Sequence, residues 1–216
     1  MVTAPFTVVR SRAVPLLIPN VDTDVIIRVE RMMSSDPDHL AKWAFESIRY
    51  DSSGAPREDF VLNDPEYVGS EILLAGDNFG CGSSREPAVW AVMGLGFRCV
   101  IAPSFGDIFA ANCLTNGVLP VSLPADAAEQ LAAGARRFEE ITVDLPSQEI
   151  RLESRCWTFD IGRVHKLMLV DALDEMALAI RHLKTVERWE IRDHNERPWA
   201  WTQGRQAGMD LGEHSP

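Results

Sequence analysis

The chain has 216 residues, of which 46% are apolar and 25% are charged, and these proportions are ordinary for a globular domain. Its formal net charge is −11 and no basic run could follow a phosphate backbone, so the composition argues against a nucleic-acid partner. No apolar run approaches the roughly 20 residues that cross a bilayer, and the N-terminus lacks the pattern of a signal peptide. We therefore expect a cytoplasmic protein with no membrane partner.

The first part of the chain is predicted to be extended and then helical. The segment 6–27 is expected to form extended pieces interrupted by Pro15 and Pro19, with a polar turn from Asn20 to Asp24. Residues 39–50 carry apolar side chains at helical spacing, which predicts a helix, and residues 51–59 have the composition of a loop.

The middle of the chain alternates short apolar strands with helices. Strands are predicted at 71–76, 97–104 and 118–124, and helices at 87–96 and 104–117. The run 97–104 is continuously apolar, as expected for a strand that is covered on both faces. This alternation predicts parallel strands joined by right-handed crossovers.

The last third is predicted to contain a helix at 125–138, two strands within 141–152, a third strand at 156–161 and mostly helix over 165–194. We expect residues 1–195 to form a single domain. Residues 202–216 have few large apolar side chains, and residues 196–216 are expected to be a mobile C-terminal tail.

A glycine-rich turn carries the clearest chemical signal. Residues 76–90 read GDNFGCGSSREPAVW, so a strand ends in a turn and feeds a helix whose free N–H groups favour an anion. Ser83 or Ser84 can cap this helix, and Ser83 and Glu86 have the spacing of a capping box. Arg85 supplies a planar donor pair that suits a carboxylate or phosphate.

Two interpretations of this turn remain open from the residues alone. The serines could be ordinary helix caps beside a surface arginine, or one serine could act as a base at a carboxylate site. A P-loop is excluded because no Gly-Lys-Ser/Thr is present, and a nucleophile elbow would need glycine at Glu86. The pair Asp22 and Asp24 is more typical of a polar turn than of a metal site, unless it faces the serines.

The cysteines offer no obvious metal site. Cys81, Cys99, Cys113 and Cys156 include no C-x-x-C pair, which suits reduced thiols and predicts that this chain binds no metal. If iron chemistry is involved, the metal must come from another chain.

Three motifs, in order, resemble one known family. NVDTDVII, GDNFGCGSSRE and CVIAPSFGDIFAANCLTNGVLPV are similar to segments of the 3-isopropylmalate dehydratase small subunits, and the resemblance covers roughly residues 6–185. The fold implied is the three-layer β/β/α swivelling domain of the aconitase superfamily, an α/β fold with a parallel central sheet and a smaller set of strands. The resemblance also implies a large subunit that carries a [4Fe–4S] cluster and a small carboxylate substrate.

The implied reaction removes water from a malate-type hydroxy acid and adds it back at the neighbouring carbon, as a step of leucine biosynthesis. In this resemblance Ser83 matches the catalytic base, while Ser84 and Arg85 match binders of the substrate carboxylate. Asp22, Thr23 and Asp24 match a segment that orients the site, and Arg31, Met32 and Met33 lie in a loop that varies with substrate.

Several residues depart from the family pattern, so alternatives stay open. Pro87 stands where the family usually has histidine, and Arg28 where it usually has proline. Met32 and Met33 are flexible and apolar, and they suit an alkyl substituent better than an added carboxylate. Alternatives are a paralogue acting on citramalate/citraconate or dimethylmalate, and a non-catalytic module that binds anions on the same scaffold.

Overall fold

A mixed sheet forms the centre of the protein. Across residues 4–32, 36–82 and 85–201, which the computed structural model describes, seven strands follow the order β4-β3-β2-β1-β5-β6-β7. The strands are β1 (Val8–Leu16), β2 (Ile72–Ala75), β3 (Cys99–Ala102), β4 (Leu119–Ser122), β5 (Glu140–Asp144), β6 (Glu149–Leu152) and β7 (Arg155–Thr158).

Helices connect and cover these strands. In the described residues they are α1 (Thr23–Ile26), α2 (Pro37–Ala41), α3 (Glu46–Arg49), α4 (Pro87–Gly94), α5 (Asp107–Thr115), α6 (Ala125–Ala135), α7 (Arg163–Asp171), α8 (Glu175–Arg181) and α9 (Leu183–Glu196). Short 3-10 turns occupy Val29–Arg31, Val61–Asn63, Pro65–Tyr67 and Pro198–Ala200. None of the helices in these described ranges is long and apolar enough to span a bilayer.

The parallel half of the sheet confirms the predicted strand–helix alternation. Strands β1 to β4 pair in parallel, with α4 between β2 and β3 and α5 between β3 and β4. Every residue of β2 and β3 is buried, so these strands are covered on both faces as the continuous apolar runs predicted.

The antiparallel half begins where β1 pairs with β5 on its other edge. Strands β5, β6 and β7 then follow as an antiparallel meander, which confirms the strands predicted over 141–161. At the β5–β6 turn the Ser147 amide donates to the Asp144 carboxylate over 2.9 Å, and this bond lowers the pKa of Asp144 below its usual value.

Two hydrophobic cores lie on opposite sides of the parallel strands. Because side chains alternate along a strand, Leu73 faces one core, while Ile72 and Leu74 face the other. The first core is completed by residues of α1, α2 and α4, and the second by residues of β5, β6 and α6. Helices α1, α2 and α4 thus cover one side of the parallel strands, and the antiparallel strands together with α6 cover the other.

The helix predicted over 39–50 is interrupted, and this part of the prediction is wrong. Residues 42–45 separate α2 from α3, and Phe45 has a left-handed backbone with φ of 59°. The Phe45 ring is fully buried, and its amide donates to the Ile26 carbonyl over 2.8 Å. Tertiary packing of Phe45 outweighs the helical periodicity.

The chain divides into two units, Met1–Glu175 and Met176–Pro216. In the second unit the Asp193 carboxylate accepts hydrogen bonds from Arg197 (2.8 Å from Nε) and from the Trp201 indole (3.0 Å). A single domain over 1–195 stays a prediction. So does a mobile tail, because residues 202–216 lie outside the described residues.

Candidate active site

The glycine-rich turn is joined to the polar segment 20–24 by backbone hydrogen bonds. The Gly80 amide donates to the Val21 carbonyl over 2.8 Å, and the Thr23 amide donates to the Cys81 carbonyl over 2.9 Å. Gly80 has φ of +72°, and an added Cβ would overlap the Phe109 ring, so only glycine fits there. Two motifs that are far apart in sequence thus form one local unit.

Asp22 stabilises the local structure of this unit as a helix cap. Its carboxylate accepts a hydrogen bond from the Val25 amide over 2.8 Å and caps the four-residue helix α1. The last residues of the polar turn predicted over Asn20–Asp24 therefore belong to helix α1. Thr23 is buried, and its backbone amide is the one bonded to Cys81.

Asp24 and Arg85 meet in space, although 61 residues separate them in the chain. The Arg85 Nη1 atom donates to Asp24 Oδ1 in an ion pair, with Arg85 about one third exposed and Asp24 more than half exposed. Ser83 and Ser84 lie outside the described residues, between Gly82 and Arg85 in the chain. Their predicted roles stay predictions.

A cleft of about 390 Å³ surrounds this ion pair. It is lined by Asp22, Asp24, Val25, Arg28, Val29, Glu30, Ser47 and Arg85. Arg28, which the sequence marked only as a departure from the family pattern, therefore faces the same space as Arg85. Its Nε lies 3.6 Å from Glu30 Oε2. Two guanidinium groups at one cleft suit a carboxylate ligand.

Arg31 is engaged by two neighbouring side chains. Its guanidinium donates to both Glu46 oxygens, over 3.0 Å from Nε and 2.7 Å from Nη2, and lies 3.6 Å from the centroid of the Trp43 ring. The bond from Arg31 lowers the pKa of Glu46 and raises the pKa of Arg31. The structure thus places Arg31 against α3 and Trp43, and its role in substrate binding stays a prediction.

The two predicted methionines are only partly described. Met32 is half-buried and packs against the first hydrophobic core, which contains residues of α1, α2 and α4. Met33 lies outside the described residues. Contact of either side chain with an alkyl substituent stays a prediction.

The capping box predicted for Ser83 stays a prediction, because that residue lies outside the described residues. Glu86 itself contacts the end of helix α5. Its Oε1 accepts a hydrogen bond from Asn116 Nδ2 over 2.8 Å, and helix α4 begins at Pro87. Glu86 has helical angles, φ −59° and ψ −36°, although a residue before proline usually avoids that region. The only sequence signal for Asn116 was the Asn-Gly pair at the end of α5, which indicates a helix end rather than this contact.

The cysteines lie in different environments. Cys99 and Cys113 are buried, and burial raises the pKa of each thiol well above its usual value. Cys81 is half-buried in the turn and Cys156 is exposed. Within the described ranges, no group of three or more His, Cys, Asp or Glu side chains is arranged to hold a metal ion.

Comparison with known proteins identifies the family. The family model of the aconitase C-terminal domain matches residues 3–126. The chain is 43% identical over 198 residues to the 3-isopropylmalate dehydratase small subunit of Rhodospirillum centenum, covering 90% of this chain and 98% of that protein. The corresponding small subunit of Afipia carboxidovorans is 43% identical over 197 residues, with the same coverage.

A solved structure agrees with these relatives. The crystal structure of 3-isopropylmalate dehydratase from Methanocaldococcus jannaschii superposes with a TM-score of 0.63 at 27% sequence identity. The match covers 84% of this chain and 99% of that chain. Fold and cleft therefore define an aconitase C-terminal domain. Within that class, the chain belongs to the family of 3-isopropylmalate dehydratase small subunits.

Proposed function

We propose that this chain is the small subunit of a [4Fe–4S] hydro-lyase that interconverts 2- and 3-isopropylmalate by dehydration and rehydration, a reaction of leucine biosynthesis. The observation that carries the proposal is the match to curated small subunits along 90% of this chain and 98% of theirs. The cleft supports it, because Arg85 and Arg28 both line it and guanidinium groups suit a substrate carboxylate.

The cluster would belong to a large subunit rather than to this chain. No suitable group of metal ligands occurs among the described residues, and two of the four thiols are buried away from the cleft side chains. The described residues therefore do not offer a set of ligands for a resident cluster. The chain's own contribution would be to bind the substrate and move a proton.

Ser83, as its alkoxide, is proposed to take the proton from the carbon next to a substrate carboxylate, and a cluster on the large subunit would supply the Lewis acid that accepts the departing hydroxyl. Ser84 and Arg85 would hold that carboxylate, since a planar guanidinium can bind both carboxylate oxygens. The Asp24 carboxylate already pairs with Arg85, and this contact supports a role for Asp24 in orienting the guanidinium. Asp22 and Thr23 would act through the backbone contacts that hold the turn in place.

The substrate is proposed to carry an alkyl group rather than a third carboxylate. Met32 and Met33 occupy the loop that the sequence associates with substrate choice, and thioether side chains suit an isopropyl group. Arg31 could attract an added carboxylate, but its Nε and Nη2 atoms already donate to both Glu46 oxygens, whereas Arg85 donates to one Asp24 oxygen through Nη1. This pairing of Arg31 supports the alkyl substrate.

An anaerobic pull-down of the tagged chain from its own cells tests the proposal. The eluate would be analysed for a larger subunit, for iron, and for turnover of 3-isopropylmalate, citramalate and dimethylmalate. We expect a larger subunit, about four irons per complex, and the highest kcat/KM with 3-isopropylmalate. Preference for another alkyl-malate would reassign the substrate, and absence of both partner and iron would contradict the proposed function.

A further inference from the structure

Asn116 makes an unusually complete set of contacts at the end of helix α5. Its side chain is 4% exposed. The Nδ2 group donates to Glu86 Oε1 over 2.8 Å and to the Asn112 carbonyl over 2.9 Å. Its Oδ1 accepts from the Trp90 indole nitrogen over 3.0 Å. An amide at position 116 therefore uses both N–H groups and its oxygen.

These contacts also fix which way the amide points. The indole nitrogen of Trp90 can only donate, and the Glu86 carboxylate and the Asn112 carbonyl accept. Turning the amide over would place its NH₂ group against the indole N–H and its oxygen against two acceptors. Asn116 thus has one favourable orientation in this environment.

The two partners on α4 are one helical turn apart. Glu86 immediately precedes the first residue of the helix, and Trp90 lies four positions later, on the same face. Asn116, at the end of helix α5, therefore holds the beginning of α4 through two hydrogen bonds. Two contacts from one side chain restrain both the position and the rotation of this helix end, in addition to the buried packing of Ala88 and Val89.

These two hydrogen bonds of Asn116 lie next to Arg85, the arginine that is proposed to bind the substrate. Arg85 precedes Glu86, and its guanidinium pairs with Asp24 across the cleft. Its backbone carbonyl accepts from the Ala88 amide over 3.3 Å, so Arg85 joins the first turn of the helix. Displacement of Glu86 would therefore move the backbone from which the Arg85 side chain extends.

We infer that Asn116 is a positioning residue, which holds Glu86 and Trp90 so that Arg85 stays aimed at the substrate carboxylate. The inference rests on the proposed function. It concerns ground-state binding through Arg85, so its signature is a change in KM larger than the change in kcat.

The test changes which side chain of the Asn116–Glu86 hydrogen bond carries the amide and which carries the carboxylate. Asn116→Asp places two carboxyl groups against each other and should raise KM for 3-isopropylmalate by about tenfold or more in the complex with the large subunit. Glu86→Gln keeps an oxygen that can accept from Asn116, so it should raise KM less. In the double variant the amide at position 86 can donate to the carboxylate at position 116, so KM should fall by about threefold or more from the Asn116→Asp value, although the Asn112 carbonyl still lacks a donor.

A matched control separates this role from general stability. Tyr67→Phe deletes one buried hydrogen bond, from the Tyr67 hydroxyl to the Ala135 carbonyl over 3.2 Å, among residues that do not line the cleft. It should lower Tm and leave KM unchanged. An Asn116→Asp variant that behaves like Tyr67→Phe, or a double variant that recovers nothing, would overturn the inference.

A second readout does not depend on turnover. Amide hydrogen exchange of the full chain should show faster exchange at Val89 and Trp90, which donate to the Glu86 carbonyl, in Asn116→Asp and slower exchange again in the double variant. If Asn116→Asp does not fold, Glu86→Ala at an exposed position tests the same contact, and an unchanged KM would overturn the inference. An inactive wild-type complex would contradict the proposed function alone, because the exchange pattern would still decide whether Asn116 holds Glu86.

Discussion

Arg31 and Glu46 show how one side chain can balance a charge near the candidate site. The Glu46 side chain is 20% exposed and that of Arg31 35% exposed, so solvent screens their attraction only in part. Trp43 lies against the guanidinium and adds a cation–π contact. Together these contacts hold the 3-10 turn Val29–Arg31, which directly precedes Met32.

Glu46→Gln should lower the stability of the chain at pH 7, and the loss should disappear in acid. The pKa of Glu46 is lowered in the folded state, so its stabilising effect is present above the ordinary carboxyl value of 4.5 and fades as pH falls through the folded value. Urea unfolding of both proteins at pH 7 and at successively lower pH measures this difference. A difference that stays constant on acidification would contradict the assigned pairing.

Individual residues also show what could be predicted from the sequence at this scale. The glycine pattern and Arg85 predicted an anion site, because the chemistry is encoded in adjacent residues. The pairing of Arg85 with Asp24, and of Glu86 with Asn116, could not be predicted from spacing. Both depend on contacts between segments 30 or more residues apart, which no local pattern specifies.

Among the elements, α4 is the one whose packing most constrains its sequence. Its last residue, Gly94, lies against α2, and an added Cβ would lie 2.6 Å from the Pro37 carbonyl carbon and 2.9 Å from Ala41 Cβ. Backbone atoms cannot move aside as a flexible side chain can. The close approach of α2 and α4 therefore requires glycine.

Gly94→Ala should destabilise the protein, contrary to helix propensity. Alanine gains up to about 1 kcal/mol in a helix over glycine, but overpacking costs about 1–3 kcal/mol. Gly134 near the end of α6 is the matched control, because its added Cβ would meet Leu152 and Glu139 side-chain atoms, which can shift. Thermal unfolding should show a lower Tm for Gly94→Ala than for Gly134→Ala, and the reverse order would contradict this packing.

The strands and helices also show which features could be predicted from the sequence and which could not. Strands β2 and β3 were predicted because they are apolar throughout, and burial on both faces needs that composition. The break between α2 and α3 was not predicted, because it depends on the buried Phe45 ring and its amide bond to Ile26. A helical period in the sequence cannot reveal that tertiary contact.

At the scale of the whole molecule, both hydrophobic cores are built from the first unit. Their described residues extend no further along the chain than Val170. In the second unit, α9 has its own local network around Asp193. Among the described residues, the apolar burial on the two faces of the sheet therefore comes from the first unit.

A chain ending at Glu175 should fold. We expect a cooperative thermal transition and a near-ultraviolet circular dichroism spectrum with the features of the full chain, because both cores stay complete. The control is the full chain under the same conditions. A truncated chain without a cooperative transition would instead favour the single domain over 1–195 that the sequence predicts.

The glycine-rich turn is proposed to supply the base of a hydro-lyase through Ser83, and a comparison of two turnover rates tests this role. The kcat for 3-isopropylmalate would be measured for complexes of the large subunit with the wild-type chain and with Ser83→Ala, at matched iron content and subunit ratio. We expect kcat to fall by about a hundredfold or more in the Ser83→Ala complex, the usual contribution of a general base. Equal kcat values in the two complexes would contradict this role of Ser83.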